Sequence, residues 1–294
     1  AARRTAMAER LVSVGIVWHP LTYHKHPTVP ATLFDIAQGL IISLWLTVRH
    51  NVRIVHARSY VPALIGRIVK LLTGAKLLFD MRGLWADERV DGGIWAAQGR
   101  VYRTVKRLEQ MLLLSADHIV TLTHASKALI EAWPNMVHAL RTPMTVIPTC
   151  ADLDLFTPAE RASNGHFTLG YVGSAGTRYQ FDEVLHVLAA IRRRKPDTRL
   201  LVVNRNDHAL ISGRIVALGI DPEGIEIIAA ELREVPQAIR RMDCATAFYK
   251  PAPSAIACAP TKLAEYLGCG VPCLGNIGVG DIELILDGEG AGVT

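Results

Sequence analysis

Phe167-T-L-G-Y-V-G-S-A-G-T-R-Y-Q-F-D-E-V-L-H-V-L-A-A-I-R-R-R-K-P-D-T-R-L-L-V-V-Asn204 sets the pattern on which the rest of the chain is built. Phe167–Gly173 is a short apolar run, Phe181–Lys195 has helical periodicity and is stopped by Pro196, and Arg199–Asn204 is a second apolar run. Runs this short that are continuously apolar, with no in-out alternation, are the mark of strands buried on both faces. Strand, crossover helix and strand make a βαβ unit with a parallel pair.

The same rhythm extends in both directions. Further strands are predicted at Gly15–Trp18, Val52–Ala57, Lys76–Asp80, His118–Thr123 and Met144–Pro148, then at Gly224–Ala230, Ala245–Tyr249 and Val271–Gly275. Helices are predicted at Ala31–Arg49, Pro62–Leu72, Arg100–Ser115, Val235–Met242 and Pro260–Gly268. Alternation of this kind predicts an α/β fold with parallel sheets and helices on both faces. The polar stretch Ala151–His166, rich in Pro, Asn and Gly, separates two series of strands, which places a boundary near Pro158. Two Rossmann-like domains are expected, 1–158 and 159–294, facing each other across a cleft at the carboxyl ends of their strands. Each end looks incomplete. Ala1–Val14 does not read as the opening strand of a doubly wound sheet, and Gly292–Thr294 stops inside what reads as a new strand.

Composition narrows the partners. The 294 residues carry a formal net charge of +5, which suits an anionic ligand or an anionic membrane surface. Aromatic residues make up 6% and are not interleaved with basic ones, so nucleic acid is not expected. Five cysteines without a C-x-x-C imply a reducing, cytoplasmic setting. The longest apolar stretch, Gly39–Val48, is about half of the roughly twenty residues that a membrane span needs, so it reads as a helix packed on a sheet. Peripheral contact with the inner face of a membrane is the secondary reading.

The sharpest chemical signal is Ala259-P-T-K-L-A-E-Y-L-G-C-G-V-Pro272. Pro260 suits a first helical turn, and Thr261, Lys262 and Leu263 would then present N–H groups backed by the helix dipole. That is an anion site, to which Lys262 adds a charge suited to a diphosphate. Glu265 lies four residues after Thr261 and shares its helix face, so its carboxylate could accept two ribose hydroxyls. The competing reading is an exposed Lys262–Glu265 ion pair.

These thirteen residues, Pro260–Pro272, resemble the second-domain signature of the family-four glycosyltransferases, two-domain enzymes of the GT-B fold. Leu169–Tyr179 is similar to the family's glycine turn, and Val146–Pro158 resembles its interdomain linker. His56-A-R-S-Tyr60 and Phe79-D-M-R-G-L-W-A-D-E-Arg89 resemble the acceptor-side loops of a bacterial subgroup. The resemblance implies that Thr261–Leu263 hold phosphates, that Glu265 holds the ribose, and that Gly173, Ser174 and Arg178 border the diphosphate. It places Glu231 where the family's backbone contacts the base. Ser174 stands where the family has an arginine, and Ala257 where many members have a glutamate on the donor sugar.

Asp80, Arg82, Asp87, Glu88, Arg89 and Asp91 crowd the loop predicted after the strand Lys76–Asp80, and Arg58 follows the strand Val52–Ala57. Asp80, Arg82 and Arg58 are the catalytic candidates, since loops at strand carboxyl ends carry sites. Rigidifying surface ion pairs are the alternative. Asp152-L-Asp154 and His24-K-His26 are weak metal motifs, and Arg192–Lys195 reads as a solvated helix end.

The expectation is therefore a glycosyltransferase that moves a sugar from a nucleotide-diphosphate donor to the hydroxyl of a saccharide or lipid-linked acceptor. Resemblance implies retention of configuration and neither metal nor cofactor. The alternative is a GT-B homologue that only binds a nucleotide sugar, or epimerises or hydrolyses it. A dehydrogenase is disfavoured, because no G-x-G-x-x-G stands between a strand and a helix.

Overall fold

A computed structural model describes residues 2–139, 141–160, 165–176 and 178–294. Residues 161–164 of the expected linker and Thr177 of the expected glycine turn lie outside the described residues. The chain forms two compact units, Ala1–Leu78 and Phe79–Thr294.

The first unit holds α1 (Ala2–Ser13), α2 (Thr28–Arg49), β1 (Ile54–Arg58), α3 (Tyr60–Thr73) and the start of β2 (Lys76–Asp80). Gly66 lets α3 lie on the sheet, since a Cβ there would come within 2.7 Å of Leu77 Cδ1. Two expectations fail here. Gly15–Trp18 forms no strand. The 22-residue α2 buries only Ala31 and Thr47, so it is not a helix sunk against a sheet. It packs along α3, where Gly39 meets Ile65, and leaves Leu33, Phe34, Ile41, Trp45 and Val48 exposed. Because the helix continues through Asp35 and Gln38, it is long and apolar enough, by length and composition, to cross a membrane.

The second unit begins with the end of β2, followed by α4 (Trp85–Asp91), α5 (Arg100–Ser115), β3 (His118–Thr121), α6 (His124–Glu131) and β4 (Met144–Val146). α4 falls in the stretch predicted to be a loop, and α6 where no helix is predicted. α4 is only seven residues long, too short for its periodicity to show. β3 and β4 pair in parallel, Ile119 opposite Met144.

A six-stranded sheet follows, built from β5 (Thr168–Val172), β6 (Arg199–Val203), β7 (Ile225–Ile228), β8 (Cys244–Ala247), β9 (Cys273–Gly275) and β10 (Gly292–Val293). Its order is β10-β9-β8-β5-β6-β7, and its strand pairs are parallel. The helices of this half are α7 (Phe181–Arg192), α8 (His208–Ala217), α9 (Val235–Ile239) and α10 (Thr261–Gly268). Along β6, Leu200 and Val202 enter a core with Phe181, Leu185 and Ile211, whereas Leu201 and Val203 enter another with Ile239, Leu263 and Tyr266. Both faces of the strand are thus dry, which explains its unbroken apolar sequence. Each fully buried Leu or Val contributes on the order of 1.5–3 kcal/mol relative to exposure.

The chain leaves β5 towards β6 and β7, then returns to build β8, β9 and β10 on the other side. The reversal point falls between β5 and β8. Crevices at such points, beyond the strand carboxyl ends, are where open α/β sheets bind ligands. Before this sheet, the described part of the linker is pinned down. Phe156 is buried in the core beside Gly268, and Arg240 Nε donates to Thr157 O at 2.7 Å.

Candidate functional site

Gly173 follows β5 directly and has φ 118°, a conformation that side chains strain to adopt. Its N–H donates to Val203 O at 2.9 Å. Asn204 Nδ2 donates to Gly173 O at 2.8 Å, while Asn204 Oδ1 accepts from Asn206 N–H at 2.9 Å. Asp207 Oδ2 accepts from Ser174 Oγ at 2.7 Å and from Ala175 N–H at 3.0 Å. These bonds, Ser174's first, hold the Asp207 carboxyl below its ordinary range. Ser174 is therefore spent on bracing the turn. Asn204 and Asp207 were not singled out from the sequence, although a polar N-R-N-D run straight after an apolar strand was the signal available.

α10 starts beside this turn, with Pro260 as its N-cap residue and not its first helical residue. Leu263 N–H donates back to Pro260 O at 3.1 Å and the Leu263 side chain is in the core, so Leu263 offers nothing to a ligand. Thr261 is exposed at the helix start. Tyr266, one turn on, is fully buried at the reversal point. Its hydroxyl accepts from Val172 N–H at 2.8 Å and donates to Thr246 O at 3.4 Å, spanning β5 and β8 where their ladder has ended.

Lys262 is not the exposed partner of an ion pair. It is 7% exposed, and among the described residues its Nζ has no hydrogen-bond partner. Nζ lies 4.3 Å from the ring centroids of both Tyr171 and Tyr179, and 5.5 Å from that of Tyr249. A Cβ placed on Gly173 would come within 3.2 Å of Nζ, so the glycine leaves the amine its space. Burial pushes the Lys262 ammonium down to about 7, against the opposing pull of Cys273, Glu265 and Cys258. Burial likewise pushes the half-buried Glu265 carboxyl up, while Lys262 draws it down. The tyrosine cage is assembled by an antiparallel bridge between Tyr179 and Tyr249, flanked by Lys250 N–H donating to Arg178 O at 2.9 Å.

The remaining donor-side candidates are further from this core of the site. Arg178 is exposed and its Nη2 lies 3.4 Å from Glu88 Oε2 on α4. Glu231 spends its N–H on Glu234 Oε2 at 2.8 Å and its carbonyl on the N–H groups of Glu234 and Val235, so this backbone is committed to the turn into α9.

Of the catalytic candidates, Asp80 is buried at the carboxyl end of β2. Arg82 is exposed at φ 62°, the centre of a tight turn in which Gly83 N–H donates to Met81 O at 2.7 Å. A non-glycine residue there costs on the order of 1–3 kcal/mol, the kind of strain that collects at functional sites. Arg58 is exposed at the end of β1, in the first unit. Of the other charges in this stretch, Asp87 accepts from Tyr102 and Lys106, and Asp91 Oδ2 accepts from Ser254 N–H at 2.8 Å. These two carboxylates have the structural role that was the alternative for the whole run.

Ala257 closes a short 3-10 turn, Pro253–Ala257, and is buried beside Met81, Leu84, Thr121 and Ser126. A side chain there points into packing. Of the weak metal motifs, His24 Nδ1 is 2.6 Å from Asp35 Oδ1, and Asp152 accepts from Asp154 N–H to form a turn. Arg192 ties the end of α7 to Thr198 O and Asp221 O.

Parallel sheets with this strand order, and a glycine turn facing a helix start at the reversal point, define the fold class, α/β of the GT-B type. The chain belongs to the glycosyl transferase 4-like domain family, which matches residues 1–150. No curated protein matches the sequence. Solved structures agree in fold. Sucrose-phosphate synthase from Thermosynechococcus elongatus is 15% identical with a TM-score of 0.65, covering 94% of this chain and 67% of the other. Anabaena HepE in complex with UDP is 17% identical with a TM-score of 0.67, covering 98% and 75%. A glycosyltransferase from Rickettsia africae is 17% identical with a TM-score of 0.64, covering 95% and 70%.

Proposed function

We propose that this glycosyltransferase takes its sugar from a nucleotide-diphosphate donor and passes it, with retention and without a metal, to a hydroxyl acceptor that is a saccharide or is lipid-linked. The observation that carries the reading is the buried Lys262 amine behind Gly173, at the start of α10 and at the reversal point of the sheet. A diphosphate lying over Gly173 meets the positive end of α10, Thr261 and Lys262, with Arg178 at the margin. Charge that a divalent ion could supply to the leaving group is supplied here by protein. Glu265 receives the ribose hydroxyls. HepE, similar in fold, is described with UDP and with UDP-glucose, which makes a uridine nucleotide the first donor to try.

The leaving phosphate takes the acceptor's proton, with Asp80 as the protein base next in line and Arg82 orienting the acceptor. Five free cysteines suit a reducing, cytoplasmic compartment. The exposed face of α2 suits peripheral membrane contact. Donor binding without transfer is the second reading, favoured by the alanine at position 257. Titration calorimetry with UDP-, GDP- and ADP-glucose tests the donor site. One should bind, and Glu265→Ala should weaken it by about 1.5–3 kcal/mol. Binding by none, or unchanged binding by the variant, would remove the assignment. The anomeric signal of the product reports retention, and a rate that survives EDTA reports metal independence.

A further inference from the structure

The amine of Lys262 is enclosed in a way that an ammonium tolerates poorly. It has three N–H donors and, among the described residues, no acceptor for any of them. A buried charge in that condition is costly, and shedding the proton relieves the cost. The ring faces of Tyr171 and Tyr179 work in the opposite direction, since a cation at 4.3 Å from a ring centroid is attracted to it. The lysine is thus balanced between its two states, and a nearby anion decides which one it takes.

The groups around it do not decide it. Tyr171 reaches it from β5, Tyr179 from the segment after the turn, Tyr249 from beyond β8, Cys258 from the end of the 3-10 turn, and Cys273 from β9. Burial pushes each of these phenols and thiols upward, so all are neutral around pH 7. Tyr266, on the same helix, is likewise pushed up by burial. Glu265, a turn further along α10, is the carboxylate in reach, and it is itself half-buried. Arg178 stands outside, near Tyr179 and Cys258, and is engaged with Glu88.

We propose that Lys262 takes up a proton from solvent when a nucleotide-diphosphate donor settles on the Gly173 turn, becoming the counter-charge of the diphosphate only in the occupied site. This rests on the donor-site reading above. Nζ lies 3.2 Å from where a Gly173 side chain would begin, so bare backbone is what stands between the amine and phosphates settling on the turn. The occupied site then carries a charge enclosed by rings, where Coulomb attraction is least screened.

The test is calorimetry of UDP-, GDP- and ADP-glucose at pH 8 in buffers of differing ionisation enthalpy. At pH 8 the diphosphate of a nucleotide sugar is fully ionised and its base is neutral, so an exchange approaching one proton belongs to the protein. Uptake approaching about one proton per donor is expected, with affinity falling about tenfold per pH unit between about pH 7.5 and 9. Lys262→Met should bind more weakly, with no uptake from this site and a flat profile. Lys262→Arg, charged at every pH, should bind without uptake. A donor that binds the unaltered protein with no proton exchanged overturns the proposal, as does equal uptake by Lys262→Met. If either variant fails to fold, the buffer dependence of the unaltered protein decides the matter alone. Binding by none of the three nucleotides overturns the donor-site reading, and this proposal with it.

Discussion

The Tyr266 hydroxyl takes the N–H of Val172 at 2.8 Å, one residue before the chain enters the positive-φ turn at Gly173. The helix that presents Lys262 and the turn that faces it are therefore joined by a single buried phenol. Tyr266→Phe keeps the ring and strands the Val172 donor, which should cost about 1–3 kcal/mol. Urea unfolding should show a lower midpoint at constant slope. Donor affinity should fall as well, and an unchanged midpoint would mean that the bond contributes nothing.

Gly173→Ala adds a methyl at φ 118°, 3.2 Å from Lys262 Nζ. The strain is on the order of 1–3 kcal/mol. Because the methyl also fills the space between amine and turn, donor affinity should drop further than thermal stability does. A variant that melts lower yet binds donor normally would show the glycine to be conformational only.

On the proposed acceptor role of this stretch, Asp80→Asn and Arg82→Ala should slow transfer while leaving donor affinity nearly intact. Initial-rate kinetics beside equilibrium binding separates the two effects. Loss of donor binding in both variants, or unfolding, would make the stretch structural.

Ala257→Glu tests whether a carboxylate can be restored where related enzymes carry one. The position is buried beside Met81, Leu84, Thr121 and Ser126, so a glutamate there loses its hydration. We expect no gain in transfer and a stability loss on the order of 3–5 kcal/mol at neutral pH. Burial raises the folded-state value of such a group, so the loss begins above its unfolded value of about 4.3 and grows with pH. Denaturation at pH 5 should therefore show a smaller deficit than at pH 8. A pH-independent deficit would point to overpacking.

The strands were legible where a short apolar run marks them: Lys76–Asp80 is predicted and found at the same bounds, as is the helix Arg100–Ser115. Gly15–Trp18 misled, being apolar and short yet unpaired in the structure. The start of α10 was legible from Pro260 and the residues that follow it. The enclosure of Lys262 was not, because it depends on Tyr171, Tyr179 and Tyr249 converging from three separate segments. No local periodicity encodes such a meeting. The commitment of Ser174 to Asp207 was hidden for the same reason, the two being 33 positions apart.

Asp281 caps the first turn of α6, accepting from His124 N–H at 2.7 Å and Ala125 N–H at 3.0 Å, across 157 and 156 positions of chain. On a ribosome adding about 5–20 residues per second, the helix emerges about 8–30 s before its cap is made. Throughout that interval those amide groups face water or a chaperone, and the eight-residue helix is too short to persist alone. The nascent chain therefore carries its β3–α6 region unfinished until the last strands of the second sheet are being translated, and a pause in translation before the Asp281 codon would prolong its exposure to proteases.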